Sequence, residues 1–416
     1  MEEYILKIKS VDGMKDYLPK ETALRNFLIS EIVDTYKKYG YQRITTPIVE
    51  SAENLDNSDG GDNLRLIYRI LKRGDKLERA IKSEKFNELS DLGLRYDLTL
   101  PLARYYLNNS ANLPSPFKCI QIDRVYRAER PQKGRLREFV QCDIDIIGDN
   151  SINCENELIA VTANALKRVG IDDFTVVLSH REVLRSIILS CGFEKDDIDS
   201  VCITIDKLDK LGSVGVRSEL LEKSFNENAV EKLMLLLSKE NLSLDDLTDF
   251  GANEKAVKEL RQVIETSKAI ANGGYGIKFS ISLVRGQGYY SGIIFEVISN
   301  EFGGTIAGGG RYDGLIGRFS GNETPAVGFS IGFERIFSLL CDKAVINEKP
   351  SVAIIYNEEE FLDAYNFSLS LHEKYNATLV IAKKKLGKQL AKLEREGFEN
   401  AVIMFEDKKW KQLGMK

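Results

Sequence analysis

The sequence predicts an α+β chain, an antiparallel sheet flanked by helices, with a helical insertion and a small C-terminal α/β domain. Three observations lead there. Two strand-like stretches, residues 119–126 and 138–147, flank a polar loop in the pattern of a long-looped antiparallel hairpin. Between about 181 and 270 the composition turns to Leu, Lys and Glu, glycines become few and the apolar period is helical. After Pro350 strand and helix signals alternate, as in a small α/β unit. At 416 residues the chain also exceeds the size at which one core stops growing, about 250–300 residues, so at least two domains are expected. The boundaries read as 1–345, with the insertion inside it, and 349–416.

Taken in order, residues 22–39 form an amphipathic helix with Leu24, Phe27, Leu28, Ile32 and Tyr36 on one face, ended by Gly40. The next stretch, Tyr41 to Pro47, is extended, because proline disfavours a helical residue before it. A helix over 156–169 leads into a strand over 175–178. Strands are expected at 278–284, 293–299 and 305–307, separated by glycine-rich turns, and a helix over 329–340. In the last domain the order is strand 352–356, helix 361–375, strand 378–382, helix 386–396 and strand 401–405.

Composition narrows the chemistry. No run of about 18 apolar residues could cross a membrane, and the N-terminal Met-Glu-Glu-Tyr lacks the basic start of a secretory signal, so a soluble, cytoplasmic protein is expected. Six cysteines are widely spaced without a C-x-x-C pair, which suggests reduced thiols and no zinc knuckle. With only His180 and His372, a histidine-rich metal centre is excluded and a histidine-based triad disfavoured. The chemistry must rest on carboxylates, arginines and tyrosines. A net charge of −5 neither favours nor excludes a nucleic-acid partner, since phosphate contact needs a local basic face.

The richest segment is Val125-Tyr-Arg-Ala-Glu-Arg-Pro-Gln-Lys-Gly-Arg-Leu-Arg-Glu-Phe-Val-Gln141. Arg127, Arg130, Arg135 and Arg137 with Lys133 would repel one another on one hairpin unless an anion sat among them, and the planar guanidinium fork suits phosphate oxygens. An anonymous basic cluster is more often a solvated loop. The order of residues here, however, resembles the second signature motif of class II aminoacyl-tRNA synthetases, and in detail that of the histidyl-tRNA synthetases. That resemblance implies the class II antiparallel sheet, with Arg127 on the α-phosphate of ATP, Glu129 on the adenine side and Arg135 on the distal phosphates. It also implies that Phe139 stacks on adenine and that Gln141 reaches the bound amino acid.

Other segments extend the resemblance. Ala326-Val-Gly-Phe-Ser-Ile-Gly-Phe-Glu-Arg-Ile is similar to the third class II motif, which would set Arg335 against the γ-phosphate. The stretch from Phe27 to Pro47 resembles the first motif, which implies a homodimer. Leu283-Val-Arg-Gly-Gln-Gly-Tyr-Tyr-Ser-Gly and Gly308-Gly-Gly-Arg-Tyr-Asp-Gly-Leu resemble the two histidine-specific signatures. By that likeness Arg285 is a catalytic cation at the α-phosphate beside Arg127, Tyr289 and Tyr290 form part of the imidazole pocket, and Tyr312 stands nearby. A tyrosine pair on a strand would otherwise be ordinary packing. Leu94-Arg-Tyr-Asp-Leu-Thr-Leu-Pro resembles the stretch that holds the α-amino group, which implicates Asp97 and Thr99, and Asp145 corresponds to the acidic residue that reads the imidazole N–H. The implied substrates are L-histidine, ATP with Mg²⁺ and tRNA(His); no metal ligand is assigned.

The sequence departs from the family pattern at Gln287-Gly288, where Leu-Asp is usual. The C-terminal unit resembles the family's anticodon-binding domain, with Lys384, Lys388 and Lys392 expected on one helix face, and it is expected to lack the further strand and closing helix that usually follow 401–405. Two relatives of a working synthetase fit part of this pattern. One is a paralogue that makes an aminoacyl adenylate for another acceptor. The other is the regulatory subunit of ATP phosphoribosyltransferase, which resembles the catalytic core but has a degraded second motif and no end domain; this sequence shows neither loss.

Overall fold

The computed structural model describes residues 9–56, 61–85, 88–132, 134–239, 242–285, 290–341, 343 and 349–413. The chain divides into two compact units, Met1–Ala344 and Val345–Lys416.

The first unit opens with α1 (Pro19–Lys38), whose Pro19 sits in the first turn, where no intrahelical N–H is needed. Glu21 accepts the orphan Leu18 N–H at 2.8 Å, and Gly40 at φ +84° ends the helical stretch. Leu24, Leu28, Ile32 and Tyr36 are buried as their spacing predicts, whereas Phe27 is 37% exposed. Next come β1 (Gln42–Arg43), β2 (Val49–Ser51), α2 (Ala52–Asp56), β3 (Arg69–Leu71), α3 (Asp75–Lys82), β4 (Ser90–Leu94) and α4 (Thr99–Asn109). Strands β2, β4 and β3 pair as a small antiparallel sheet.

The predicted hairpin is β5 (Phe117–Tyr126) and β6 (Glu138–Ile147), paired without a break from Phe117 opposite Ile147 to Tyr126 opposite Glu138. After it come α5 (Asn153–Arg168) and β7 (Phe174–His180), then the helical segment α6 (Arg181–Cys191), α7 (Ile198–Ile205), α8 (Leu208–Glu222), α9 (Glu227–Leu237), α10 (Leu244–Asp249) and α11 (Glu254–Ala271). Helices α6 to α10 bury their own core around Leu184, Ile188, Val201, Leu220, Leu233 and Leu247. Side chains of His180, Asn226, Ser243 and Asn253 cap the N-termini of α6, α9, α10 and α11. Helix α11 also packs on α5, β7 and β8, so the end of the insertion helps to cover the sheet.

The remaining elements are β8 (Gly276–Phe279), β9 (Ile293–Ser299), β10 (Gly304–Arg311), α12 (Asp313–Ser320), β11 (Ala326–Gly332) and α13 (Phe333–Leu340). Three expectations change here. The strand expected over 278–284 ends at Phe279. The short strand expected over 305–307 runs through three glycines to Arg311. The helix expected over 329–340 begins only at Phe333, because Phe329 is held in β11 between Gly309 and Ile144 and packs on Phe295 at a ring separation of 4.4 Å. Paired strands on both sides override the local helical pattern.

The large sheet has the order β1-β5-β6-β11-β10-β9-β7-β8, antiparallel except for the β1/β5 and β7/β8 pairs. Alternation along β6 sorts its side chains between the two faces of this sheet. Cys142, Ile144 and Ile146 are buried apolar residues, while Gln141, Asp143 and Asp145 line the cleft on the opposite face.

The second unit contains β12 (Ser351–Tyr356), α14 (Phe361–Leu371), β13 (Asn376–Ile381), α15 (Leu386–Arg395), β14 (Asn400–Ile403) and β15 (Lys409–Gln412). Its sheet order is β13-β12-β14-β15, parallel except for the last pair. Val352, Ile354 and Tyr356 face α14, and Ala353 and Ile355 face α15, so β12 is apolar throughout because both its faces are covered. Strand β15 corrects the expectation that no strand follows 401–405. Of the three lysines expected on one helix, Lys384 precedes α15; only Lys388 and Lys392 lie on it.

No helix among the described residues is long and apolar enough to cross a membrane. All six cysteines are free thiols, five of them buried.

Candidate active site

The cleft on the open face of the large sheet has a volume of about 460 Å³. Every described residue to which the family resemblance gave a site role lines it: Asp97, Thr99, Arg127, Glu129, Arg135, Phe139, Gln141, Asp145, Arg285, Tyr290, Tyr312 and Arg335; Arg130 and Arg137 of the basic cluster do not, and Arg137 instead donates to the carbonyls of Glu129 and Asp12. Tyr289, with the Gln287-Gly288 departure and Lys133, lies outside the described residues.

One end is cationic. Arg127, just past the end of β5, donates to the Tyr96 carbonyl at 2.9 Å and lies 5.2 Å from the Phe139 ring centre. Arg135, on the hairpin loop, pairs with Glu129 at 3.6 Å. Arg335, in the first turn of α13, donates to the Thr305 carbonyl and lies over Phe302. Burial, reinforced by the charges of Arg135 and Arg285, depresses the Arg335 pKa. Like charges gathered in a half-enclosed cleft raise one another's energy, and a polyanion among them reverses the sign of that interaction.

Arg285 links this end to the next. Its backbone adopts φ +57°, rare for a residue with a side chain, and its guanidinium pairs with Glu296 at 3.2 Å and lies 5.8 Å from the Tyr290 ring centre. Glu296 also accepts from the Thr305 hydroxyl at 2.8 Å. The guanidinium can approach β10 this closely because Gly308 has no side chain: a Cβ there would fall 1.5 Å from its Nη1. That approach requires glycine.

The other end is acidic. Asp97 precedes α4 and accepts the Leu100 N–H at 3.2 Å; burial raises its pKa. Asp145 accepts the Tyr312 hydroxyl at 2.6 Å, and burial pushes its pKa up to about 7 against that hydrogen bond. Asp143, two residues before Asp145 on β6, also lines the cleft and is driven far above the usual carboxylate range by burial and then by the charge of Asp145. Gln141 donates to the Ser330 hydroxyl at 3.2 Å, while its buried Oε1 has no protein partner. An unmatched acceptor and a row of buried carboxylates are costly alone and suit a ligand rich in donors. Gly328 opens this end: a Cβ there would fall 2.0 Å from Asp145 Oδ1.

Several cleft residues escaped the sequence reading. Asp143 was findable, because strand alternation puts it on the same face as Gln141 and Asp145. Glu296 and Asp206 carried no motif; Asp206 ends α7, so the helical segment contributes to the cleft lining. Glu334 was visible beside Arg335, but nothing local indicated its partners. Among the described residues no group of three His, Cys, Asp or Glu side chains could hold a metal ion by itself.

A family model described as histidyl-tRNA synthetase matches residues 13–336. A histidine–tRNA ligase of Leifsonia xyli subsp. xyli (strain CTCB07) is 42% identical over 341 residues, 79% of either chain. The crystal structure of histidyl-tRNA synthetase from Nostoc sp. PCC 7120 superimposes with a TM-score of 0.76 at 26% identity, over 98% of this chain and 97% of that one. A structure from Bacillus halodurans C described as an ATP phosphoribosyltransferase regulatory subunit/histidyl-tRNA synthetase gives a TM-score of 0.78 over 99% of both chains; at 21% identity this is a likeness of fold.

Proposed function

The chain belongs to the histidyl-tRNA synthetase family, and on that premise we propose that it activates L-histidine with ATP and transfers the product to tRNA(His). One observation carries the reading: a single cleft joins a crowded arginine end to an end of buried carboxylates and an unmatched amide oxygen. A nucleoside triphosphate satisfies the first and a small donor-rich amino acid the second. Arg135 and Arg335 hold the distal phosphates, Arg127 and Arg285 hold the α-phosphate, and Phe139 with Glu129 receives the adenine. Asp97 and Thr99 take the α-amino group; Gln141, Asp145, Tyr290 and Tyr312, together with Tyr289, take the imidazole side.

The histidine carboxylate oxygen then attacks the α-phosphorus in line, the bond to the bridging oxygen breaks, and pyrophosphate leaves. The work of the site is alignment and charge stabilisation, so cations placed beforehand at the phosphates suffice. Mg²⁺ enters with the triphosphate as part of the substrate. In the second step a ribose hydroxyl of the tRNA attacks the carbonyl of the adenylate and AMP leaves. The second unit serves the tRNA, and the exposed Phe27 of α1 belongs to a homodimer contact.

Histidine-dependent exchange of labelled pyrophosphate into ATP tests the first step, and its absence with Mg²⁺ present would refute the reading. Charging of purified histidine tRNA tests the second. Exchange without charging would replace the tRNA by another acceptor.

A further inference from the structure

The carboxylate of Glu334 is 8% exposed and gathers three partners from separate parts of the chain. Arg25 of α1 grips it with two parallel hydrogen bonds of 2.6 and 2.8 Å, and the Tyr17 hydroxyl donates at 3.0 Å. The third donor is the Val140 backbone N–H at 3.3 Å. The position of that N–H explains the contact. Strand β11 stops pairing with β6 at Gly332 opposite Gln141, so Val140 lies one residue past the ladder and Glu334 extends it with a side chain. The Arg25 guanidinium is itself packed 3.9 Å from the Tyr17 ring centre and 4.7 Å from that of Phe333.

Stability alone is a weak reason for this arrangement, since a buried ion pair can often be replaced by apolar side chains at no loss. What it fixes is relative position. Val140 follows Phe139, and Glu334 precedes Arg335. One carboxylate therefore ties the residue beside the adenine face to the residue beside the terminal phosphate cation.

We infer that Arg25 and Glu334 are positioning residues for ATP, holding Phe139 and Arg335 at a fixed separation and linking α1 to nucleotide binding. The inference rests on the ATP site proposed above. It predicts a selective defect. The acidic end of the cleft is held by other contacts, Asp145 with Tyr312 and Asp97 with the start of α4, so histidine binding stays largely untouched.

The test is pyrophosphate exchange with separate titration of ATP and histidine, alongside thermal denaturation. Arg25→Lys keeps the charge and loses the two-pronged grip, so the KM for ATP should rise roughly tenfold while that for histidine changes less than about twofold. Glu334→Gln should show the same selectivity. Tyr17→Phe removes one hydroxyl and should give a smaller rise confined to ATP, which keeps the question answerable if the other variants do not fold. Unaltered ATP dependence in folded variants, or equal rises for both substrates, overturns the inference while leaving the ATP site standing. A wild-type protein that shows no histidine-dependent exchange overturns the reading of the site, and this inference with it.

Discussion

Replacing Asp145 by asparagine separates what this carboxylate does for the fold from what it does for the substrate. Asp145 is 4% exposed, and burial pushes its pKa from 3.8 up to about 7. The folded protein therefore binds this proton more tightly than the unfolded chain. The stability linked to it is fully present below the unfolded value of 3.8, is lost as pH climbs from there through about 7, and changes little above that. The full loss is on the order of 4 kcal/mol, of which about 2 kcal/mol falls between about pH 5.5 and about pH 8. Asparagine carries no charge and retains an oxygen for the Tyr312 hydroxyl. Asp145→Asn should thus be more stable than wild type at the higher pH, with a margin about 2 kcal/mol wider than at the lower one. Urea denaturation followed by circular dichroism at the two pH values measures the difference. Histidine-dependent exchange should fall by roughly a hundredfold in the same variant, because the site loses its charged acceptor. A margin that is negative at the higher pH, or that does not vary with pH, would refute the account of Asp145 as a desolvated carboxylate.

Gly328→Ala places a methyl group 2.0 Å from Asp145 Oδ1, so the Tyr312 hydrogen bond must break or β11 must shift. The KM for histidine should rise by roughly tenfold or more with stability down by about 1–3 kcal/mol; near-native values of both would show that the strand yields without consequence. Gly308→Ala meets Arg285 Nη1 at 1.5 Å and should lower kcat for exchange while the protein remains folded, read by exchange rates beside a melting curve. Arg285→Ala should abolish exchange with the fold intact, and retained activity would remove Arg285 from the α-phosphate.

The sequence by itself determined the kinds of chemistry and their order along the chain. Side-chain identity and order are kept in a linear string, so the motifs that hold Arg127, Arg135, Phe139, Gln141 and Arg335 were legible through their resemblance to a known family, and the β5/β6 hairpin was legible because two strand periods flank a polar loop. The alternation of β12 to α15 was visible for the same reason. Only the tertiary structure decided which groups meet. The glycines of β10 have no side-chain period, so its length came from pairing with β9 and β11, and Phe329 to Gly332 became strand because neighbouring strands claimed their backbone groups. Strand β15 likewise exists through pairing with β14. The depressed Arg335 and raised Asp145 depend on burial and on charges distant in sequence, and the grip of Arg25 on Glu334 spans 309 positions. Electrostatic energy and desolvation depend on distance in space. Local sequence patterns carry that information only where the fold has already brought the residues together.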